Sequence, residues 1–350
     1  MKSLQEWKVE KVKENFLIGS YTKRTSQGIY AGTLDIEKNE ISPLTLAQAE
    51  TSPTYLTTSK KGVLYTVGSD ALGGGIISYQ PNDKGDYSLI NKAIRPGNAP
   101  CYVAVDEKRQ LVYSANYHLG EIVSYKILEN GGLKIADIVT HSGSGPHPNQ
   151  EKAHLHYTDL APDERLIACD LGTDEIYTYD VAENGKLTQA AVFKTAAGTG
   201  PRHLGFHPKE NIAYVIGELA STITVLTYFP DGHFEKVESH STLPKDFSGE
   251  NSGGAIRITK DGHFLYASNR GDNSLAIFTV KNNGKKLELL TIIKTKGAFP
   301  RDFAFDPQEK FLICTHQNSD YLSLFKKNED GTLTFLNADI FAPEAVCIHF

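Results

Sequence analysis

The sequence predicts an all-β fold, a seven-bladed β-propeller with four antiparallel strands per blade, and three observations lead to it. The first is a repeat. Six segments align by eye, starting at Ser52, Ala99, His154, Gly200, Ser252 and Phe299, and each is closed by a second half that ends at a glycine. The last five of those glycines are Gly131, Gly185, Gly232, Gly284 and Gly331, at intervals of 54, 47, 52 and 47 residues. A fixed period of roughly 40–50 residues marks blades or solenoid units. The second observation is that apolar residues inside each copy alternate with period two, as in Leu204/Phe206, Ile256/Ile258 and Phe303/Phe305, which is the strand signature. The third is that the two ends of the chain are complementary fragments of one further blade.

From the N-terminus, FLIGSY, GIYAGTLD and LTLAQAE read as the second, third and fourth strands of a blade that lacks its first. Six complete copies follow. In the fourth, the innermost strand ends near Phe206, the next spans 213–217, the third 222–228 and the outermost 233–240, with Asp231-Gly232 as the hairpin turn. The C-terminal stretch from Phe341 to Phe350 is a lone first strand, so it completes the N-terminal three. Residues 15–350 number 336, or 48 for each of seven blades. Such a closure ties the ring and removes two free sheet edges. The expected organisation is an N-terminal extension, 1–14, followed by a single propeller domain, 15–350.

Composition narrows the function classes. With 36 basic and 42 acidic residues, a net charge of −6, the chain offers no basic field for nucleic acid. Cys101, Cys169, Cys314 and Cys347 fall in different blades without a CxxC pair, as expected of buried thiols in a reducing compartment. No apolar leader and no membrane-length apolar run are visible, so the expectation is a soluble cytoplasmic protein, monomer or homodimer, without nucleic-acid or membrane partners.

The repeat also serves as a ruler. In every blade the outer-to-inner connection and the turn after the second strand ring one mouth of the channel. The residue after the aligned proline is Thr54, Cys101, His156, Arg202, Gly254, Arg301 and Glu344 in successive blades; the second strand ends at Ser69, Tyr117, Leu171, Glu218, Arg270 and Gln317, with Asn116 and Asn269 one residue earlier. Three arginines, two glutamates and a histidine thus stand where Ser, Thr or Gly would suffice structurally. Guanidinium groups bind carboxylate or phosphate in a fork and polarise carbonyl oxygens. An imidazole or carboxylate can take a proton from water. His154 and His156 share a strand, but no third ligand at metal spacing accompanies them, and no metal is expected. His203 adjoins Arg202. The segment THSGSGPHPNQEKAHLH lengthens one blade and reads as a rim or lid supplying His147 or His154; it lacks the Gly-Lys-Ser/Thr ending of a phosphate loop. No GxSxG elbow is present, which favours a water nucleophile.

At HLHYTDLAPDERLIACDLGTDEI, at GPRHLGFHP with the YVIGEL glutamate sixteen residues after its arginine, and at HFLYASNRGDNSLAIF, the chain resembles the seven-bladed propeller lactonases. These are the bacterial 6-phosphogluconolactonases and the related fungal carboxy-cis,cis-muconate cyclase, and the resemblance covers essentially the whole chain. It implies hydrolysis of 6-phospho-D-glucono-1,5-lactone, a small anionic substrate, with no metal or organic cofactor. It also implies catalytic roles for His154, Arg202, Glu218 and Arg270. Arg301, His156, Asn116, His203, Asn269 and Glu344 are the expected substrate-binding residues. Other readings are a muconate-type cycloisomerase or a non-catalytic propeller that docks an anionic ligand or protein. Two positions depart from the family pattern: Pro162-Asp-Glu replaces Pro-Asp-Gly, and Arg257 replaces an Asp, a change that bears on substrate charge if Arg257 faces the channel.

Overall fold

The computed structural model describes residues 12–82 and 86–350, and its strands form seven antiparallel sheets with no helix among the described residues. The innermost strands are Leu56–Thr58, Tyr102–Asp106, Leu155–Leu160, Pro201–Phe206, Ser252–Ile258, Pro300–Phe305 and Ala345–His349, here blades 1 to 7. Each packs against the next and the seventh against the first, closing the ring. In blade 4 the four strands are Pro201–Phe206, Ile212–Gly217, Thr222–Tyr228 and Phe234–Ser241, within a residue of the sequence expectation. Blade 7 joins both ends of the chain: Ala345–His349 pairs with Lys13–Ser20, and Gly28–Asp35 and the outer strands Glu40–Ile41 and Thr45–Ala49 follow. Residues 1–11 of the expected N-terminal extension lie outside the described residues.

The repeating Tyr and Gly have a common cause in blade-to-blade contact. Tyr65, Tyr214 and Tyr266, buried on second strands, donate to the carbonyls of Gly131, Gly284 and Gly331 in the hairpin turn of the following blade, at 3.0, 2.8 and 2.7 Å. The turn must present its backbone to a neighbour and adopt positive φ, and Gly331, at φ 82°, does both: a Cβ there would meet the Phe264 ring at 2.2 Å. Between the blades lie apolar clusters shared by adjacent sheets, such as Tyr214, Val225, Leu265 and Phe278 of blades 4 and 5.

One irregularity recurs and positions the site. The inner strands of blades 3 to 6 slip by a residue against their second strands, between Leu155 and Tyr157, Pro201 and His203, Gly253 and Ile256, and Pro300 and Asp302. A bulge leaves its extra residue out of the ladder and re-aims the side chain. The residues left out are His156, Arg202, Gly254 with Ala255, and Arg301. In blade 7 the slip falls between Ala345 and Cys347, so the bulged residue is Val346.

Candidate active site

The bulges turn His156, Arg202 and Arg301 toward one mouth of the channel, where the ends of neighbouring second strands bring Glu218 and Arg270. The Glu218 carboxylate is shared. Its Oε2 accepts from Arg202 Nε at 2.9 Å and lies 2.7 Å from Arg270 Nη2. Arg202, only 2% exposed, also donates from Nη1 to the Gly254 carbonyl at 2.8 Å, while Arg270 donates to the Gly253 carbonyl from Nη2 at 2.5 Å. The glycine-rich bulge of blade 5 thus supplies the acceptors that fix both guanidinium planes. Arg301 completes the group, donating at 3.4 Å to the Gln317 side-chain oxygen and lying over the Tyr21 ring. Three guanidinium groups face one carboxylate, a net charge of +2 from these four side chains.

That imbalance sets the protonation of its neighbours. Burial works against the Glu218 charge, but Arg270, Arg202 and Arg301 outweigh it and hold the carboxyl below its usual range. Burial, with repulsion from Arg270, draws Arg202 down to about 9, so it stays charged at neutral pH. His156 is held well below the usual imidazole range by burial and then by Arg202, Arg301 and Arg270. It is therefore a neutral imidazole, and its buried Nδ1 has no hydrogen-bond partner. The adjoining cavity encloses about 370 Å³ and is bounded by Tyr21, Lys23, Cys101, Tyr117, His118, His156, Glu218, Arg270 and Arg301 among others; Arg202 does not border it and meets it only through Glu218. Burial raises the Cys101 thiol to about 11, which leaves it unreactive as a nucleophile at neutral pH.

Five expected residues sit elsewhere. His154 does not border this cavity: its ring stacks behind Tyr117, centroids 4.1 Å apart, and its Nδ1 donates to the Tyr117 carbonyl at 2.8 Å. Asn116 spends its carboxamide on the turn, bonding the Asn98 carbonyl and the amides of His118 and Leu119. Asn269 is fully buried among Thr242, Asn251 and Ser274. Glu344 accepts from the backbone amides of Lys23, Arg24, Thr25 and Ser26 at 2.8–3.2 Å, so it anchors a loop rather than facing a ligand. Its misplacement has a register cause. Glu344 has φ 53° and its carbonyl receives the Tyr21 amide, as Gly200, φ 59°, receives Glu218 and Phe299, φ 63°, receives Gln317. The position equivalent to Pro201 and Pro300 is therefore Ala345, so Pro343 imitates the proline slot two residues early, and Val346 holds the position equivalent to Arg202.

His203 is the fifth. It accepts from Arg202 Nη1 at 3.2 Å from beneath, and its ring packs edge-on against Tyr55 and Tyr102. Those rings border a second cavity of about 800 Å³ at the opposite mouth, together with Tyr157, Asp159 and Arg257. Arg257 thus faces the channel on the far side and is paired with Asp302 at 2.9 Å. The extended loop after Thr140 folds on Gln150, which donates to the Leu171 carbonyl, and neither it nor His147 borders the arginine cavity. Conversely, Tyr21 and Lys23 border the cavity without having been singled out. Tyr21 follows the second strand of blade 7 and is the seventh member of the series that contains Glu218 and Arg270, so the same ruler would have found it.

Among the described residues no three His, Cys, Asp or Glu side chains converge as a metal site, and all four cysteines are free. The model of the family described as lactonase, seven-bladed β-propeller, matches residues 15–350. A 6-phosphogluconolactonase of Bacillus subtilis is 39% identical over 339 residues, covering 95% of this chain and 97% of its own. The crystal structure of a protein from Lactobacillus plantarum is 46% identical with a TM-score of 0.94, covering 96% of this chain and 98% of that one. A periplasmic gluconolactonase of Pseudomonas aeruginosa is 28% identical with a TM-score of 0.90, over 96% and 98% of the two chains. The ring of seven blades, closed by both ends of the chain, belongs to a member of the seven-bladed β-propeller lactonase family.

Proposed function

We propose that the protein hydrolyses 6-phospho-D-glucono-1,5-lactone to 6-phosphogluconate, the lactone-opening step of the pentose phosphate pathway, at the arginine mouth. The observation that carries the reading is an excess of buried guanidinium charge beside a neutral imidazole with an unpartnered nitrogen. Arg270 faces the ring carbonyl and stabilises the oxyanion that forms when water attacks, and Arg202, behind it, holds the shared Glu218 carboxylate in place. His156 takes the proton from that water. Glu218 is a poor base, because two arginines hold it ionised; its role is to fix their planes. The tetrahedral intermediate collapses with loss of the ring oxygen as the leaving alkoxide, which is protonated to the C5 hydroxyl. A lactone is reactive enough for so few groups to suffice.

The free thiols suit a cytoplasmic, reducing location. Likeness to a gluconolactonase also keeps the unphosphorylated sugar lactone as a second substrate. The test is base uptake at constant pH with each lactone, corrected for spontaneous opening. Turnover of the phospholactone well above the spontaneous rate is expected; no turnover of either lactone would exclude the proposal.

A further inference from the structure

Two cations at the arginine mouth have no anion of their own. Arg202 and Arg270 share Glu218, and Arg24 is paired with Asp320 at 2.5 Å, but among the described residues neither Lys23 nor Arg301 has a carboxylate within ion-pairing distance. Both lie over one aromatic ring: Lys23 Nζ is 4.5 Å and the Arg301 guanidinium carbon 5.6 Å from the Tyr21 centroid. All three residues border the cavity.

Their positions are prepared. The backbone from Lys23 to Ser26 is pinned by the Glu344 carboxylate, and Arg24 also donates to the Gln317 carbonyl at 3.3 Å. Arg301 touches the Gln317 side chain of the same blade. Lys23 is exposed and Arg301 partly so, which lets both reach a ligand from solvent, and a dianion with several acceptor oxygens matches both an ammonium point charge and a guanidinium fork.

We infer that Lys23, Tyr21 and Arg301 form a subsite for the phosphate group of the lactone, apart from the Arg202–Glu218–Arg270 group that faces the carbonyl. This rests on the lactonase reading above and gives Glu344 its purpose: it carries Lys23 into place.

The experiment compares Lys23→Gln and Lys23→Arg with the parent protein on 6-phospho-D-glucono-1,5-lactone and D-glucono-1,5-lactone. Removing a charge-assisted contact raises KM for the phospholactone by roughly 10- to 100-fold with kcat little changed, and the preference for the phosphorylated substrate collapses. Lys23→Arg restores most of that preference. An equal loss on both lactones would overturn the inference while leaving the lactonase reading intact. Calorimetric titration with inorganic phosphate at low ionic strength gives an independent arm should neither lactone turn over. The parent protein binds phosphate and Lys23→Gln binds it at least tenfold more weakly; equal affinity in the two, or no binding by the parent, would overturn the subsite.

Discussion

The two mouths of the channel are built from the same seven strands and differ in how charge is settled. The far mouth is the larger, about 800 Å³ against 370 Å³. There the Arg257 guanidinium has its own carboxylate in Asp302. At the near mouth one carboxylate serves two arginines, and among the described residues a third arginine and Lys23 go without. Under the proposed function the smaller cavity is the working end, and its unmatched positive charge, not its size, supports that reading.

The sharpest way to break this comparison is to remove one guanidinium from each mouth. Arg270→Gln removes a donor to the developing oxyanion and should lower kcat/KM by about 10²- to 10³-fold, and Arg202→Gln, which frees the Glu218 carboxylate, should lower it less. Arg257→Gln leaves Asp302 buried without its cation, so its melting temperature falls while its kcat/KM stays near that of the parent. Steady-state kinetics and thermal melts on the three proteins check both halves; a comparable rate loss in Arg257→Gln would erase the distinction between the mouths.

A smaller effect separates the two histidines of the HLH segment. The bulge selects His156 for the cavity, whereas His154 buttresses Tyr117. His156→Gln should cost about 10²-fold in kcat, at the low end for general-base catalysis because the lactone is intrinsically reactive. His154→Gln should cost less and act through Tyr117. If His154→Gln proves the more damaging in kcat, the base is misassigned.

How much of this was legible depends on which positions obey the repeat. The blades could be seen because Tyr266 and Gly331, and their counterparts, recur to meet one another across a blade boundary. Arg202, Glu218, Arg270, Arg301 and His156 could be seen as exceptions to that pattern, and the structure gathers them. Glu344 misled because a proline precedes it in the wrong register, and a two-residue shift is invisible without the bulge. His203 misled because adjacency in sequence says nothing about which end of the channel a side chain serves. Lys23 lies in a loop with no counterpart in other blades, so no repeat could flag it.

The smallest expected effect is thermodynamic, and it gives the mouths opposite signs. Glu218 at the near mouth has a folded-state carboxyl lowered beneath its usual value of 4.5, against burial, by three arginines. Its stabilisation is fully present above the unfolded pKa and is lost as pH falls through the lower folded value. At the far mouth burial raises Asp159 from 3.8 to about 6, only partly offset by the Leu160 amide and the Tyr102 hydroxyl. Ionising it therefore costs the folded state: the penalty is absent below 3.8, grows between 3.8 and about 6, and is constant above. Both carboxyls are partly reached by solvent, so each effect is smaller than a sealed site would give. Denaturant melts of Glu218→Gln and Asp159→Asn at pH 4 and pH 8 test the pair. Glu218→Gln should be less stable than the parent at pH 8, with the deficit shrinking toward acid. Asp159→Asn should be more stable than the parent at pH 8, with the gain vanishing at pH 4. Same-sign differences at pH 8 would mean that the far mouth, too, holds its carboxylate by unmatched positive charge, and the contrast between the two ends would fail.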